Sequence, residues 1–396
     1  VDVFVTPWHH QQRSVSLAGS WKVSRADEIG RRTVADDDLD DSEWFDADVP
    51  GHWRDVVGLD DADAVLYRHR FEMAPGSRRR WLSIDGLCYQ GDVWLDGAYL
   101  SDTEGYFAQH VFDVTEHLAR RRNHLLAIEA TCAHPGDRLD KRNITGVLQH
   151  AETLDHNLNP GGLWRDVRIE ETGDVRIDEL QLLVLEADED RAILRMTAVL
   201  DSSATHSARV TTYVDEAGEA EGHGDAALHE QDLVLARGRN EVEWHVAIES
   251  PRLWWPRALG EAALYDVRLE VSVRGQVSHV RKRRTGVRSI ELRNWIASVN
   301  RERLYLKGAN LGPASIHLAS TTAAHHRRDL TLAADAGLDL LRVHGHVAAP
   351  SLYREADRLG MLLWQDFPLQ WGHARSIRVQ ATRQAEILVK QLGHHP

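Results

Sequence analysis

The pattern of apolar and polar positions divides the chain into three parts. Up to about Ile290, apolar and polar residues alternate in short runs that are separated by turn residues. Alternation with a period of two is typical of β-strands that bury one face. After Arg303, short apolar runs alternate instead with segments of helical periodicity, which indicates parallel β/α units. We place the boundaries so that the parts are 1–172, 173–298 and 299–396.

The first part has the pattern of an antiparallel β-sandwich. Its clearest strands are segments 79–88, 91–100 and 124–132. The dipeptide Asp96-Gly97 lies between two apolar runs and is a hairpin signal. Closely spaced strands without a helical period predict a sandwich. The polar segment 138–165 is long for a loop, and long loops on a rigid sheet are often functional.

The second part has the pattern of an immunoglobulin-like sandwich of about seven strands. The segments that alternate most clearly are 193–201, 208–216, 240–256 and 265–275. Between two of them, the polar run HEQDL at 229–233 is predicted to be a loop.

The third part contains three β/α units. We expect strands that end near Asn310, Val343 and Trp364, each followed by a helix. The helices are predicted from Thr321 or Thr322 to Gly337, from Pro350 to Gly360 and from Arg378 to Leu392. A closed eight-stranded barrel needs about 250 residues, so these units are the beginning of one. Three parallel strands leave an open edge, which we expect another chain or a second copy to cover, unless this part is poorly ordered.

Composition narrows the classes of function. The formal charge of −14 argues against non-specific binding to nucleic acid. Thirteen Trp against six Phe would suit a sugar-binding cleft, although most Trp residues are expected in the core.

Cys88 and Cys132 are predicted to be reduced core residues, and no metal motif or cofactor is indicated. No apolar run has membrane-spanning length and no secretory signal is visible, so we expect a cytoplasmic protein.

Several motifs in the same order resemble glycoside hydrolase family 2. They are GSWKV (19–23), VWLDGAYL (93–100), GYFAQHVFDVTEHL (105–118), NPGGLWRDVRI (159–169), LYLKGAN (304–310), LLRVHGH (340–346) and LYREADRLGMLLWQDFPL (352–369). The resemblance implies a jelly-roll sandwich, an immunoglobulin-like sandwich and the first three β/α units of a TIM barrel. It also implies a retaining exo-β-glycosidase with carbohydrate as its partner. WQDF favours the β-mannosidase and exo-glucosaminidase branch over the β-galactosidases and β-glucuronidases.

Retaining glycosidases use two carboxyl groups about 5–5.5 Å apart. The resemblance places these as Glu residues at the ends of the fourth and seventh barrel strands. The chain ends in HHP, which in relatives leads into the fourth strand, so we expect neither catalytic Glu and no turnover by this chain alone. Asn240-Glu241 lies in a sandwich strand and has no expected catalytic role. The alternatives are a non-catalytic carbohydrate-binding or scaffold protein, a subunit of a split glycosidase, or a degraded reading frame.

Two charged residues at strand ends are candidates for binding the substrate. By resemblance, Arg342 lies near the nucleophile and would keep it ionised. Alternatively, Arg342 would form an ion pair that holds the mouth of the barrel in place. Asp366 would accept hydrogen bonds from sugar hydroxyls, or else cap a helix that begins after Pro368.

Other candidates are aromatic or polar. Trp364 and Trp371 could stack on the sugar ring, although Trp364 also fits the barrel core. His344 and His346 stand where the mannosidase branch tends to have Trp-Gly-Gly, and they could replace that Trp as partners of the sugar hydroxyls. The alternative is a metal-binding pair, for which no third ligand is evident. Asn310 ends the first strand and would contact the sugar or form a turn.

The long loop of the first sandwich supplies the last two candidates, His150 and Asp155, because in relatives this loop reaches the pocket.

Overall fold

The structure is a computed structural model that describes residues 14–27, 33–133, 141–149, 159–218, 224–370 and 372–396. In chain order it contains two antiparallel β-sandwiches, a small antiparallel sheet and a parallel β/α unit. This order agrees with the predicted fold class. No described helix is long and apolar enough to cross a membrane.

The first sandwich contains sheets with strand orders β3-β2-β4-β10-β7-β8 and β1-β12-β5-β9, beside the short pair β11-β6. Asp96 and Gly97, with φ values of 55° and 82°, form the tight turn between β7 and β8. The strands are β1 Ser14–Ser16, β2 Gly19–Arg25, β3 Phe45–Val49, β4 Ala64–Glu72, β5 Arg79–Ile84, β6 Leu87–Cys88, β7 Gln90–Leu95, β8 Ala98–Glu104, β9 His110–Asp113, β10 Asn123–Thr131, β11 Gly162–Leu163 and β12 Val167–Thr172.

The second sandwich packs the sheet β13-β14-β17 against the sheet β16-β15-β18-β19. Its strands are β13 Val175–Ala187, β14 Arg191–Ser202, β15 His206–Glu216, β16 Ala227–Leu235, β17 Gly238–Glu249, β18 Tyr265–Val273 and β19 Gln276–Thr285. The prediction of a loop at 229–233 was wrong, because these residues lie in β16. This strand is at the edge of its sheet and is largely exposed, so its polar residues show no apolar alternation.

The third part begins with the small sheet β20-β21-β22 and continues into the parallel sheet β23-β24-β25. The single strand expected up to Asn310 is therefore two strands, which belong to different sheets. The elements are β20 Ile290–Arg293, β21 Ile296–Val299, β22 Glu302–Leu304, β23 Gly308–Leu311, α1 Ala323–Asp335, β24 Leu340–Val343, α2 Pro350–Leu359, β25 Leu362–Gln365 and α3 Arg378–Leu392.

Local sequence sets the ends of these helices. The side chain of Thr322 caps α1 by accepting a hydrogen bond from the backbone N–H of His325. Pro350 is the first residue of α2, and Gly360 ends that helix in the left-handed conformation with φ of 67°.

Among the described residues, helices cover only one face of the parallel sheet. Leu341 and Val343 are buried in a cluster with residues of α1 and α2. Arg342, between them in β24, points to the opposite face and is exposed, as is Trp364 of β25. The described residues thus leave this second face open. The predicted coverage of the open edge by another chain or a second copy stays a prediction.

The third part also packs against the first sandwich. Leu318, Val347, Ile377 and Leu388 belong to the same buried apolar cluster as the core of that sandwich. Cys88 and Cys132 are buried free cysteines in this core, and their sulfur atoms are 3.9 Å apart.

His52 joins these two parts through its neutral imidazole. Its Nδ1 is 2.9 Å from the carbonyl oxygen of Pro160, and its Nε2 is 3.2 Å from the backbone N–H of Ala319. Because Nε2 accepts from an N–H, Nδ1 carries the proton and donates it to Pro160. Burial lowers the pKa of His52 from 6.5 to about 4.

We therefore expect His52 to make stability depend on pH. Between pH 6.5 and 4 the unfolded chain binds a proton here that the folded chain does not, so stability falls as pH decreases through this window. One such group contributes a slope of about 1.4 kcal/mol per pH unit at most. Urea unfolding at several pH values should show a shallower dependence for His52→Gln. An unchanged slope would contradict this assignment.

Candidate functional site

Three of the predicted residues form one row across the open face of the parallel sheet. Asn310 of β23 is in register with Arg342 of β24, which is in register with Trp364 of β25. They line a recess of about 610 Å³ together with Leu306, Gly308, Ala309 and Leu340. Trp364 is 53% exposed, so it is a wall of this recess and is not buried in a core.

A bidentate ion pair lies next to this row, at the C-terminal ends of the parallel strands. The Nε atom of Arg342 is 3.0 Å from Oδ1 of Asp366, and its Nη2 atom is 2.9 Å from Oδ2. The backbone N–H of Gly345 also donates to Oδ2, at 3.2 Å. These contacts fix the Asp366 carboxylate at the rim. The next described helical turn after Pro368 begins at Arg375, so Asp366 caps no helix there.

His344 lies on the same rim. Its Nδ1 atom is 3.4 Å from Oδ2 of Asp366, which is an ion-pair distance when the imidazole is protonated. Its Nε2 atom is 3.4 Å from Nε2 of Gln370. The structure therefore gathers Arg342, Asp366 and His344 into one cluster.

His346 points in the opposite direction, into the protein. It is only 2% exposed, and its Nδ1 atom is 3.1 Å from the carbonyl oxygen of His344. Burial lowers the pKa of His346 to about 4, so it is neutral at neutral pH. His346 thus supports the loop and does not reach the recess. Within the described ranges, no group of three or more His, Cys, Asp or Glu side chains could hold a metal ion.

The first sandwich holds the loop that carries His344. The backbone N–H of Val147 donates to the carbonyl oxygen of Gly345 at 3.0 Å. The hydroxyl of Tyr106, which is fully buried, accepts a hydrogen bond of 2.6 Å from the backbone N–H of Val347. In the sequence, Tyr106 cannot be told apart from other aromatic core residues of the β-sandwich. Its hydrogen bond to the loop that carries His344 could therefore not be predicted.

Side-chain amides complete the support behind the rim. Gln365 donates to the carbonyl oxygen of His346 at 2.7 Å and accepts from the hydroxyl of Tyr353 at the same distance. Lys141, from the described part of the long sandwich loop, donates to the carbonyl oxygen of Gln370 at 3.2 Å. Lys141 and Val147 thus bring the described part of this loop into contact with the segments that follow β24 and β25.

The remaining candidates, Trp371, His150 and Asp155, lie outside the described residues.

Two family models match the chain over consecutive ranges. "Glycosyl hydrolase 2 galactose-binding domain-like" matches residues 57–154, in the first sandwich. "Glycosyl hydrolases family 2" matches residues 175–288, in the second sandwich. Together the two matches cover more than half of the chain.

The curated relatives are named as β-mannosidases and exo-β-D-glucosaminidases. The chain is 28% identical over 360 residues to "Beta-mannosidase B" of Aspergillus clavatus, covering 81% of this chain and 41% of that protein. It is 26% identical over 311 residues to "Exo-beta-D-glucosaminidase" of Hypocrea jecorina, covering 75% of this chain and 33% of that protein. The chain thus spans less than half the length of these relatives.

Solved structures show the same arrangement of parts. A β-D-mannosidase from Dictyoglomus thermophilum superposes with a TM-score of 0.81 at 20% identity, covering 97% of this chain and 51% of that one. A β-glucuronidase from Bacteroides uniformis gives a TM-score of 0.80 at 19% identity, covering 98% and 46%. At these identities the likeness concerns the fold alone.

Proposed function

Because the chain belongs to glycoside hydrolase family 2, we propose that it forms the scaffold and one wall of the sugar site of a retaining exo-β-glycosidase. β-Mannosides are the preferred substrates in this proposal. The two catalytic carboxylates come from polypeptide outside residues 1–396, supplied either by a longer form of the same chain or by a partner that completes the barrel.

The observation that carries the proposal is the cluster of Arg342, Asp366 and His344 at the carboxyl edge of the open parallel sheet. In β/α barrels this edge holds the catalytic groups. The Arg342 guanidinium is 46% exposed at its side chain, so it can still act on a second carboxylate brought to the open face. A cation at that position would keep a nucleophilic Glu ionised.

Trp364 in the recess and two residues on the adjacent rim have the chemistry that a pyranose needs. The exposed ring of Trp364 can stack on the apolar face of a sugar. The Asp366 carboxylate and the His344 imidazole can bind its hydroxyl groups. The preference for mannosides is supported by the WQDF segment and by the names of the relatives. The glucosaminidase relatives make β-glucosaminides the second candidate substrate.

The test is to assay the polypeptide translated together with its downstream coding sequence against nitrophenyl β-glycosides of mannose, glucosamine, galactose and glucuronic acid. We expect hydrolysis of the mannoside to be fastest. Asp366→Ala should lower kcat/KM by about 100-fold or more, because a hydrogen-bonding group of the site is lost and Arg342 loses its ion-pair partner. Asp335→Ala removes an exposed carboxylate at the end of α1 and should change kcat/KM less than about twofold. The proposal would be contradicted if none of these substrates were hydrolysed either by the extended polypeptide or by this chain combined with a partner that completes the barrel.

A further inference from the structure

A second cavity lies where all three parts of the chain meet, and it shares no lining residue with the recess on the open face. Its volume is about 500 Å³. The charged residues and histidines that line it are Asp85, Arg165 and Arg168 of the first sandwich, Lys282, Arg283 and Arg284 of the second, and Arg354, Asp357, His394 and His395 of the third part.

Positive charge dominates this junction cavity. Six Arg or Lys side chains face two carboxylates in its wall, although the whole chain carries a formal charge of −14. Both carboxylates already have partners: Asp85 pairs with Arg168, and Asp357 is 2.6 Å from Nδ1 of His395. Outside the lining, Arg168 also pairs with Glu170 and Arg284 pairs with Asp266. The cations that concern a ligand are therefore Arg165, Arg283 and Arg354.

Two of its donors are buried without an acceptor. The Nε–H groups of Arg165 and Arg283 have no hydrogen-bond partner in the described part of the chain. Burial lowers the pKa of both arginines to about 10. Leaving buried donors unpaired is unfavourable, and such groups in a cavity indicate a missing acceptor.

The surroundings hold these donors in place. The guanidinium of Arg165 stacks on the ring of Trp164 at 4.1 Å and donates to the carbonyl oxygen of Ala348 at 2.9 Å. Arg283 donates through Nη1 to the carbonyl oxygen of Lys282 at 3.1 Å. Arg354 is exposed on α2, at the edge of the same cavity. The site thus combines two anchored guanidinium groups, whose Nε atoms are buried, with an exposed one at its entrance.

We propose that the junction cavity binds a phosphate group. Guanidinium groups bind phosphate oxygens through paired, charge-assisted hydrogen bonds, and the unpaired Nε donors of Arg165 and Arg283 would gain acceptors. Because residues from all three parts line the cavity, a bound phosphate would link them and stabilise the folded chain by mass action. This role is independent of the sugar site.

Isothermal titration of the 396-residue chain with inorganic phosphate, at constant ionic strength set with sodium chloride, tests the proposal. We expect saturable binding with a Kd of about 1 mM or tighter, and a rise in the melting temperature with phosphate but not with chloride. Arg354→Glu should weaken binding by about tenfold or more, because it places a negative charge at the entrance.

Arg328→Glu is the matched control, since Arg328 is an exposed arginine on α1 outside the cavity. It should change the Kd less than about twofold. The variant Arg283→Gln, which removes a buried charge, should also lose phosphate binding while keeping the circular dichroism spectrum of the parent. No saturable binding by the parent chain, or equal weakening by Arg354→Glu and Arg328→Glu, would overturn the proposal.

Discussion

The Trp254→Ala variant is expected to lose about 4 kcal/mol of stability, which is typical of removing a fully buried large aromatic side chain. Trp254 is 0% exposed and lies between the second sandwich and α2. Its indole N–H donates to the carbonyl oxygen of Asp357 at 2.8 Å. Truncation therefore leaves a cavity at the interface of two parts and removes one of the hydrogen bonds to the Asp357 carbonyl oxygen, which keeps only the 3.4 Å bond from Gly360.

Close packing around Trp254 prevents the cavity from collapsing easily. A Cβ atom at Gly286 would lie only 2.7 Å from the Trp254 side chain, so Gly286 gives the indole its space. The backbone of Trp254 is fixed as well: its N–H donates to the carbonyl oxygen of Val287 at 2.8 Å, and its own carbonyl oxygen accepts from Asn300 at 3.0 Å. Because the backbone around Trp254 is held in place, it can relax little into the cavity. The expected loss of stability is therefore in the upper part of the range for large-to-small substitutions.

Urea unfolding followed by tryptophan fluorescence and circular dichroism measures this effect. Trp295→Ala is the control, because Trp295 is 89% exposed on the turn between β20 and β21 and its removal should change stability by less than about 0.5 kcal/mol. Equal losses for the two variants would show that Trp254 does not join the second sandwich to α2.

The Gly146→Ala variant should disrupt the support of the His344 loop. Gly146 has φ of 55°, and a Cβ atom there would overlap the carbonyl oxygen of Gly345. Backbone atoms cannot move aside as a flexible side chain can, so the long sandwich loop and the 344–347 loop must separate. We expect a loss of about 3 kcal/mol, from the positive φ and from the broken hydrogen bond between Val147 and Gly345.

Gly337→Ala separates backbone strain from steric overlap. Gly337 also has positive φ, at 76°, but a Cβ atom there would meet nothing within 4 Å. It should cost only about 1 kcal/mol. Thermal unfolding compares the two variants, and limited proteolysis near residue 345 should increase for Gly146→Ala alone. A Gly146→Ala chain as stable as Gly337→Ala would contradict the tight approach of the two loops.

Sequence patterns predicted the β/α part well because its signals are local. Helix α3 spans Arg378–Leu392 as expected, and α2 runs from Pro350 to the residue before Gly360. Capping and periodicity depend on residues a few positions apart, so a single sequence contains them. Edge strands carry no such local signal. The conformation of β16 depends on its pairing with β15 and on its exposure to solvent, so the loop prediction at 229–233 failed.

The site could be predicted in part. The rule that strand ends carry chemistry selected Arg342, Asp366 and His344, and the structure brings these three together. It could not show that His346, only two residues further on, points into the protein. Nor could it find Tyr106 or the junction cavity, because those contacts join residues far apart in sequence. For the same reason, the sequence did not predict that Cys88 and Cys132 lie next to each other.

The central claim is that this chain carries the scaffold and one wall of a glycosidase site without its catalytic carboxylates. The most direct test is the initial rate of nitrophenyl β-mannoside hydrolysis by the purified 396-residue chain, compared with its Asp366→Asn variant. The claim predicts that neither protein exceeds the rate in buffer alone. Measurable turnover by the parent chain that the Asp366→Asn variant loses would contradict it, because a working carboxylate would then lie within these residues.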